Sequence, residues 1–252
     1  MSYLPRYFLA LALLATGWVN IARAADTAAQ QMERAHNGRV TWQKFPGFQA
    51  DIVATRDGQT TSGKLVVDVE GEAKPTFREG QEPDWVKRSL QSVINHRLDG
   101  GHAVTEVEYA DEDLKHPMGR LIRSTKPAEK SLWRVQGDVL TEVQRISDKT
   151  RMIISVAEVA RNPEGLHMPR SFVTTTWDAQ TGAIQSSRQV FQEWKRFGQF
   201  DLPIRITAMI STGDGQRHVE EVKLSNISLL PRASTAQGTL SELPELTVPV
   251  TS

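Results

Sequence analysis

The sequence predicts an α+β fold that is mostly β: a large, curved antiparallel meander sheet of half-barrel shape, with one main helix and a short N-terminal helix. Three observations support it. Apolar and polar residues alternate in many short segments, as in strands with one buried face. Short spacers rich in Gly, Asn and Asp separate these segments, and such spacers join only antiparallel neighbours. Residues 83–98 have helical periodicity instead, as do residues 26–38.

The first predicted elements are the short helix and a β-hairpin. The helix at 26–38 ends at Asn37-Gly38, and one of its faces carries three apolar residues: Ala28, Met32 and Ala35. The hairpin covers Phe48–Val69, where Asp57-Gly58 is a typical turn signal. Its second strand places three apolar side chains on the same side of the sheet: Leu65, Val67 and Val69.

Residues 83–98 form the most regular predicted helix. Pro83 suits a first helical turn, and Asp84 interacts favourably with the positive end of the helix dipole. The apolar positions recur at helical spacing and form one stripe: Trp85, Val86, Leu90, Val93, Ile94 and Leu98. A stripe of this kind is typical of a helix that packs one face on a sheet.

The rest of the chain is predicted to consist of strands. One strand is expected at 102–109, and a polar loop follows at 110–117. The further strands are expected near 118–124, 131–136, 139–147, 151–161, 166–177, 183–194, 202–212 and 217–230. The total is ten or eleven strands. In 202–212 the apolar residues are expected to share one face: Leu202, Ile204, Ile206, Ala208 and Ile210.

The N-terminal residues 1–24 have the features of a secretory signal peptide. Arg6 supplies a positive charge, the apolar run at 7–19 is too short to span a bilayer, and Ala22-Arg23-Ala24 is a small-residue cleavage pattern. We therefore expect cleavage near Ala24, a periplasmic or secreted mature protein, and no transmembrane anchor.

Domain organisation follows from the same pattern. Residues 25–230 are expected to form a single antiparallel β domain, and residues 231–252, which show no periodicity, a flexible C-terminal tail. The chain has no cysteine, so a packed core rather than disulfides must stabilise it.

Charge and motifs exclude several functions. Removal of residues 1–24 leaves 28 basic and 30 acidic residues, a net charge of −2, which argues against a nucleic-acid partner. The sequence contains no P-loop, no G-x-S-x-G elbow and no metal-ligand spacing, so we predict neither a cofactor nor a metal site. Glu106 and Glu108 share a strand face with His102, an arrangement that acid–base catalysis or simply a solvated strand face would explain.

Two segments identify a family resemblance. One runs from Ala35 to Trp42 and continues at Phe45–Phe48, and the other runs from Trp194 through Leu202–Arg205 to Leu224–Asn226. Together they resemble an uncharacterised, domain-of-unknown-function family of exported bacterial proteins. The resemblance spans most of the mature chain and implies no activity.

The first hairpin, with Gly63 at the opening of its second strand, is similar to that of another class of proteins. It resembles the LolA-like lipoprotein-carrier half-barrel. That resemblance implies a curved sheet that wraps around helices and presents an apolar cavity. It also implies that the cavity binds an acyl chain or another apolar ligand.

The size of the sheet bears on function. Ten strands about 4.8 Å apart make a sheet about 48 Å wide, whereas one helix is about 10 Å across. The sheet must therefore curl into a filled core, close, dimerise or hold a ligand. Trp42, Phe45 and Phe48 are expected either in the core or at the lip of a cavity.

The sequence thus predicts an extracytoplasmic binding or carrier protein for a hydrophobic small molecule or lipid-like ligand. Eight residues are predicted to bind it: Trp85, Leu90, Val93 and Ile94 on the helix, and Leu65, Val67, Ile204 and Ile206 on the sheet. An envelope protein-protein interaction or assembly module, docked through a sheet edge, is the first alternative. A hydrolase-type enzyme that uses carboxylates is the second.

Overall fold

The computed structural model describes residues 26–77, 83–98, 104–127 and 130–231. The predicted signal peptide at 1–24 lies outside the described residues, as does the predicted tail beyond Pro231. Two helices and twelve strands are present: α1 (Ala28–Asn37), β1 (Phe48–Arg56), β2 (Gln59–Val67), β3 (Ala73–Phe77), α2 (Asp84–Asn95), β4 (Val107–Tyr109), β5 (Arg120–Ser124), β6 (Ser131–Gln136), β7 (Val139–Ile146), β8 (Thr150–Arg161), β9 (His167–Asp178), β10 (Ile184–Phe197), β11 (Phe200–Thr212) and β12 (Arg217–Leu229).

One open, curved sheet contains all twelve strands, in the order β3-β2-β1-β12-β11-β10-β9-β8-β7-β6-β5-β4. Strands β4 to β12 form a continuous antiparallel meander. The N-terminal hairpin adds to its end, because β1 pairs with β12, with Phe48 opposite Leu229 and Arg56 opposite Glu220. The predicted fold class, a mostly β meander with two helices, is confirmed.

Helix α2 covers the part of the sheet formed by the N-terminal hairpin and the C-terminal strands. Leu90 and Ile94 on α2 are fully buried, and they belong to the same core cluster as Leu65 and Val67 of β2 and Leu202 of β11. Full burial of one such side chain contributes about 1.5–3 kcal/mol. This main core fixes α2 against one arm of the curved sheet.

Helix α1 covers the other arm, where β4 to β7 form a second and smaller core. Its buried residues are Ala28, Met32, Ala35, Ile122, Trp133 and Val135. The amide of Gln31 strengthens this contact, because its Nε2 donates a hydrogen bond of 3.0 Å to the backbone oxygen of Val135. The predicted apolar face of α1 is the face that is buried.

Several boundaries differ from the sequence expectation. Strand β3 was not predicted, because it has only five residues and Pro75 lies in its middle. The predicted strand at 102–109 is reduced to Val107–Tyr109 among the described residues. Strand β10 continues beyond its expected end at residue 194 to Phe197, and a tight Gly198-Gln199 connection leads into β11.

Strand β11 contains an irregularity at Ile204. In the pairing with β10, Glu193 lies opposite Arg205 and Trp194 lies opposite Pro203, so Ile204 is an additional residue on β11. A bulge of this kind changes which face the flanking residues occupy. Ile204 is consequently half-buried whereas Ile206 is buried, and the predicted common face of 202–212 is interrupted.

Neither described helix is long and apolar enough to cross a membrane.

Candidate ligand-binding cavity

A cavity of about 520 Å³ lies between α2 and strands β7 to β11. It occupies the central part of the sheet, on the face that α2 covers. Its volume falls within the range of about 300–1,000 Å³ that is typical of small-molecule sites. The side chains of the core therefore do not fill all of the space on the concave side of the sheet.

Apolar side chains form the wall of the cavity. Strand β8 contributes Met152, Ile154 and Val156, which share one face because strand side chains alternate. The neighbouring strands add Phe172 from β9 and Val190 from β10. This apolar wall is continuous across three adjacent strands.

An extended segment before β1 builds the polar end of the cavity. The backbone N–H of Val40 donates to the oxygen of His167 at 2.9 Å, and the N–H of His167 donates to the oxygen of Gly38 at 2.8 Å. Two residues later, the N–H of Trp42 donates to the oxygen of Arg97 at 2.6 Å. The segment therefore ties the start of β9 to the end of α2 and brings four basic residues to one place.

These residues are Arg39, His96, Arg97 and His167, which we call the basic end of the cavity. Among the described residues that line the cavity, none carries a carboxylate. Asp138 lies near His167, but its carboxylate pairs with Arg161 at 2.7 Å, and no carboxylate of the described chain forms an ion pair with Arg39 or Arg97.

Arg97 is the most buried member of the basic end, with 5% of its surface exposed. One Nη donates to the oxygen of Val40 at 3.0 Å, and the guanidinium carbon lies 5.4 Å from the centroid of the Trp194 ring. Its Nε has no hydrogen-bond partner among the described residues. Burial, followed by the charge of Arg39, lowers the pKa of Arg97 to about 10, and the side chain remains a cation at neutral pH.

Arg39 lies at the more open part of the basic end. Its Nη2 lies 2.8 Å from Nδ1 of His36, and its Nε donates to the oxygen of His36 at 3.3 Å. No ion pair with a described carboxylate holds it. Burial lowers the pKa of Arg39 from its ordinary value.

The surroundings of both histidines of the basic end favour the neutral imidazole. Burial is the main cause that lowers the pKa of His167 to about 4; the Asp138 carboxylate opposes this shift, and the charges of Arg161, Arg97 and Arg39 add to it. Burial and the charge of Arg97 lower the pKa of His96 as well. The Nδ1 of His167 is buried and has no partner among the described residues.

Arg188 lines a different part of the cavity and is compensated. Its Nη2 donates to Oγ of Ser89 on α2 at 2.9 Å and lies 3.6 Å from the carboxylate of Glu220, which is buried on β12. Its Nε and the Oε1 of Gln192 are buried and have no hydrogen-bond partner in the part of the chain that the structure describes. All four buried side-chain atoms that lack a partner in the described chain therefore belong to residues of this cavity.

The eight residues predicted to bind ligand fall into three places. Val93 of α2 and Ile206 of β11 line the cavity. Five others lie in the adjacent main core: Leu65, Val67, Trp85, Leu90 and Ile94. Ile204, displaced by the bulge, lines a separate groove of about 500 Å³.

That second groove is lined by a polar network with internal partners. Arg196 donates two hydrogen bonds of 2.6 Å to Glu164 and one of 3.1 Å to the buried Asp201. Asn162 donates to the same Asp201 carboxylate at 3.0 Å. Because these charged groups are already paired with one another, the groove presents fewer unpaired polar groups to a ligand than the main cavity does.

The aromatic residues near Pro46 belong to the core. Trp42 is 2% exposed and its ring is stacked on Phe45 with 4.7 Å between centroids, while Phe48 is fully buried. The indole N–H of Trp42 donates to the backbone oxygen of Asp201 at 3.1 Å. The sequence left two positions open for this cluster, the core and the lip of a cavity, and the structure places it in the core.

The carboxylates considered for acid–base chemistry lie on the surface. Glu106 pairs with Lys126 at 3.0 Å, and Glu108 pairs with Arg123 at 2.6 Å. His102 lies outside the described residues. Among the residues that the structure describes, no three His, Asp or Glu side chains are grouped so that they could hold a metal ion.

The basic end was not predicted from the sequence. Its residues come from three places that are far apart in the sequence: the segment before β1, the end of α2 and the start of β9. Backbone hydrogen bonds of residues 38–42 and the hydrogen bond from Arg97 to Val40 join these places. One signal was present in strand 183–194, where Arg188 and Gln192 alternate with Val190 on the inward face. Polar residues among the apolar positions of one strand face indicate a site rather than a filled core.

Comparison with known proteins gives a family match. The family described as protein of unknown function DUF3386 matches residues 23–230. This match confirms the predicted resemblance to a domain-of-unknown-function family. A search of the curated proteins finds no match to the chain.

Solved structures include similar folds. One is a domain from Vibrio parahaemolyticus named for outer membrane lipoprotein sorting, with 11% identity over 85% of this chain and 94% of that chain and a TM-score of 0.37. A LolA superfamily protein from Nitrosomonas europaea has 12% identity over 83% and 96%, with a TM-score of 0.29. A DUF1329 family protein from Desulfovibrio piger has 9% identity over 80% and 91%, with a TM-score of 0.27.

Proposed function

Because the chain belongs to the DUF3386 family, whose function is unknown, we propose a function from the cavity itself. The protein is an extracytoplasmic binding or carrier protein for a hydrophobic or lipid-like ligand. The observation that carries this proposal is the cavity of about 520 Å³ with a continuous apolar wall between α2 and the sheet.

The apolar wall supports binding of an apolar group. Transfer of apolar surface from water is favourable by about 25 cal/mol per Å². The side chains Ile154, Val156 and Phe172 are only partly buried although they face α2, so a ligand that covers them gains this free energy. A filled core would leave no such surface.

The edges of the sheet give less support to an assembly module. The edge strand β3 contains Lys74 and Pro75, and the other edge strand, β4, has three residues and is contacted by α1. Short edges with Lys and Pro are the features by which proteins prevent strand addition. Docking of an envelope partner through an edge is therefore the weaker candidate.

A pair of substitutions on one strand tests the proposal. Ile154 and Ile153 are neighbours on β8, but only Ile154 lines the cavity. Ile154→Trp adds volume inside the cavity, whereas Ile153→Trp adds the same volume on the opposite face of the sheet. We expect Ile154→Trp to weaken binding of the neutral apolar probe N-phenylnaphthylamine by about tenfold or more. The bulky ring would displace the probe from part of the apolar wall, and the loss of that buried apolar surface costs at least about 1.4 kcal/mol of binding free energy.

The matched variant supplies the control. Ile153→Trp should bind the probe with the wild-type affinity, and both variants should retain the far-ultraviolet circular dichroism of a β protein. Native mass spectrometry of the purified protein provides a second readout, in which a stoichiometric bound lipid is expected. Wild-type protein that neither carries a ligand nor binds the probe would contradict the proposed function.

A further inference from the structure

The polar and apolar parts of the cavity are spatially separated, and this separation constrains the ligand. We propose that the ligand is an anionic amphiphile whose acidic head group binds at the basic end, between Arg97 and Arg39, while its apolar part lies along β8, β9 and β10. This inference rests on the proposed function, since it specifies the ligand of the same cavity.

Arg97 is a buried cation that lacks a carboxylate partner among the described residues. A guanidinium has five N–H donors, and buried ions in proteins are normally paired. Arg97 is 5% exposed, yet its hydrogen bond within the described chain goes to a neutral carbonyl, and its Nε has no partner there. An anion bound beside Arg97 would supply the missing charge and the missing acceptor.

Arg39 is the second arginine of the basic end. It lines the same end of the cavity and, like Arg97, forms no ion pair with a described carboxylate. The positive charge of Arg39 acts unfavourably on Arg97, as two like charges close together do. One acidic head group between the two side chains would relieve this repulsion and would interact with both.

Arg188 shows that this lack of compensation is local. It lines the same cavity, but it lies 3.6 Å from the carboxylate of Glu220 and is hydrogen-bonded to Ser89. Among the described residues, a carboxylate thus supplies a counter-charge for Arg188 but forms no ion pair with Arg39 or Arg97. The uncompensated charge lies at the end that residues 38–42 build.

The geometry around Arg97 is suited to a head group of fixed orientation. The Val40 carbonyl holds one Nη, and the Trp194 ring lies 5.4 Å from the guanidinium carbon. These contacts limit the rotation of the guanidinium before ligand binds. Guanidinium groups bind both carboxylates and phosphates through two parallel hydrogen bonds, so fatty acids and alkyl phosphates share the required chemistry.

Competition among ligands with one common tail provides the test. Dodecanoate, dodecyl phosphate and dodecanol should each displace N-phenylnaphthylamine from the wild-type protein. We expect at least one of the two anions to bind about tenfold or more tightly than the alcohol, as a charge-assisted hydrogen bond requires. The preferred anion identifies the head group as a carboxylate or a phosphate.

Variants locate the effect. Arg97→Met should reduce the preference for the anion over dodecanol to near unity. Arg39→Gln, at a less buried position, should reduce the same preference and serves if Arg97→Met does not fold. Arg123→Gln removes a surface arginine that pairs with Glu108, and this control should retain the full preference.

The outcomes separate the two proposals. Equal affinities for dodecanol and both anions in the wild-type protein would overturn the head-group assignment while the hydrophobic-binding function stands. A preference that survives in both Arg97→Met and Arg39→Gln would overturn it as well. Failure of the probe and of all three competitors to bind would instead overturn the proposed function.

Discussion

His167 is a buried imidazole whose protonation opposes folding. Burial lowers its pKa in the folded protein to about 4, whereas an unfolded chain has a histidine pKa near 6.5. Between these values the unfolded chain binds the extra proton, so the free energy of unfolding falls as the pH falls from about 6.5 towards 4. Since one pKa unit corresponds to about 1.4 kcal/mol, the loss from this residue is on the order of 1–3 kcal/mol.

Urea denaturation between pH 5 and 7 measures this contribution. His167→Gln should flatten the dependence of the free energy of unfolding on pH in that interval. A shallower slope should remain, because burial also lowers the pKa of His96, which acts in the same direction. An unchanged slope in the variant would show that His167 titrates normally in the folded protein.

Single residues also show where sequence reasoning stops. Alternation and helical spacing correctly identified Leu65, Val67, Leu90 and Ile94 as facing inward, and all four are fully buried. The same pattern describes Val93 and Ile206, which line the cavity. Periodicity reports the face of an element, but the distance to the opposite element decides between core and cavity, and that distance depends on the curvature of the whole sheet.

At the scale of elements, the N-terminus of α1 is fixed by a reciprocal cap. Oγ1 of Thr27 accepts a hydrogen bond of 3.2 Å from the N–H of Gln30, and Oε1 of Gln30 accepts one of 2.9 Å from the N–H of Thr27. Thr27→Ala removes one of these bonds and should lower the free energy of unfolding by about 1 kcal/mol.

Thr27→Ser provides the matched comparison, because serine keeps the hydroxyl group and is an equally good cap. Urea denaturation of the two variants should therefore give a loss for alanine and a value near wild type for serine. A serine variant as unstable as the alanine variant would assign the effect to packing of the threonine methyl group instead of the cap.

Element boundaries were predictable where local chemistry determines them. The Asp57-Gly58 turn joins β1 to β2 as expected, with Asp57 and Gly58 both at positive φ. Strand β3 was missed because Pro75 argues locally against a strand, and pairing with β2 at the sheet edge overrides that signal. The strands expected at 183–194 and 202–212 were too short at their connection, because pairing continues to Phe197 opposite Phe200.

The whole molecule is organised by the mismatch between the wide sheet and the two helices. Helix α2 and helix α1 cover opposite arms and form separate core clusters. The cavity lies between α2 and strands β7 to β11, where α2 does not cover the sheet completely. The comparison of sheet width with helix diameter could therefore predict that the sheet face is incompletely covered, but it could not predict the basic residues at one end.

Ligand binding should consequently stabilise the molecule as a whole. A ligand that binds the folded state alone raises the free energy of unfolding by about 2.7 kcal/mol at a free concentration of 100 times Kd. We expect dodecanoate or dodecyl phosphate, whichever binds more tightly, to produce a shift of this size in urea denaturation. Hydrogen exchange should slow most in β8, β9 and β10, because their side chains form the wall on which the tail lies, and least in α1, which packs on the other cluster. Protection confined to the exposed loops, without a change in these strands, would place the ligand outside the cavity.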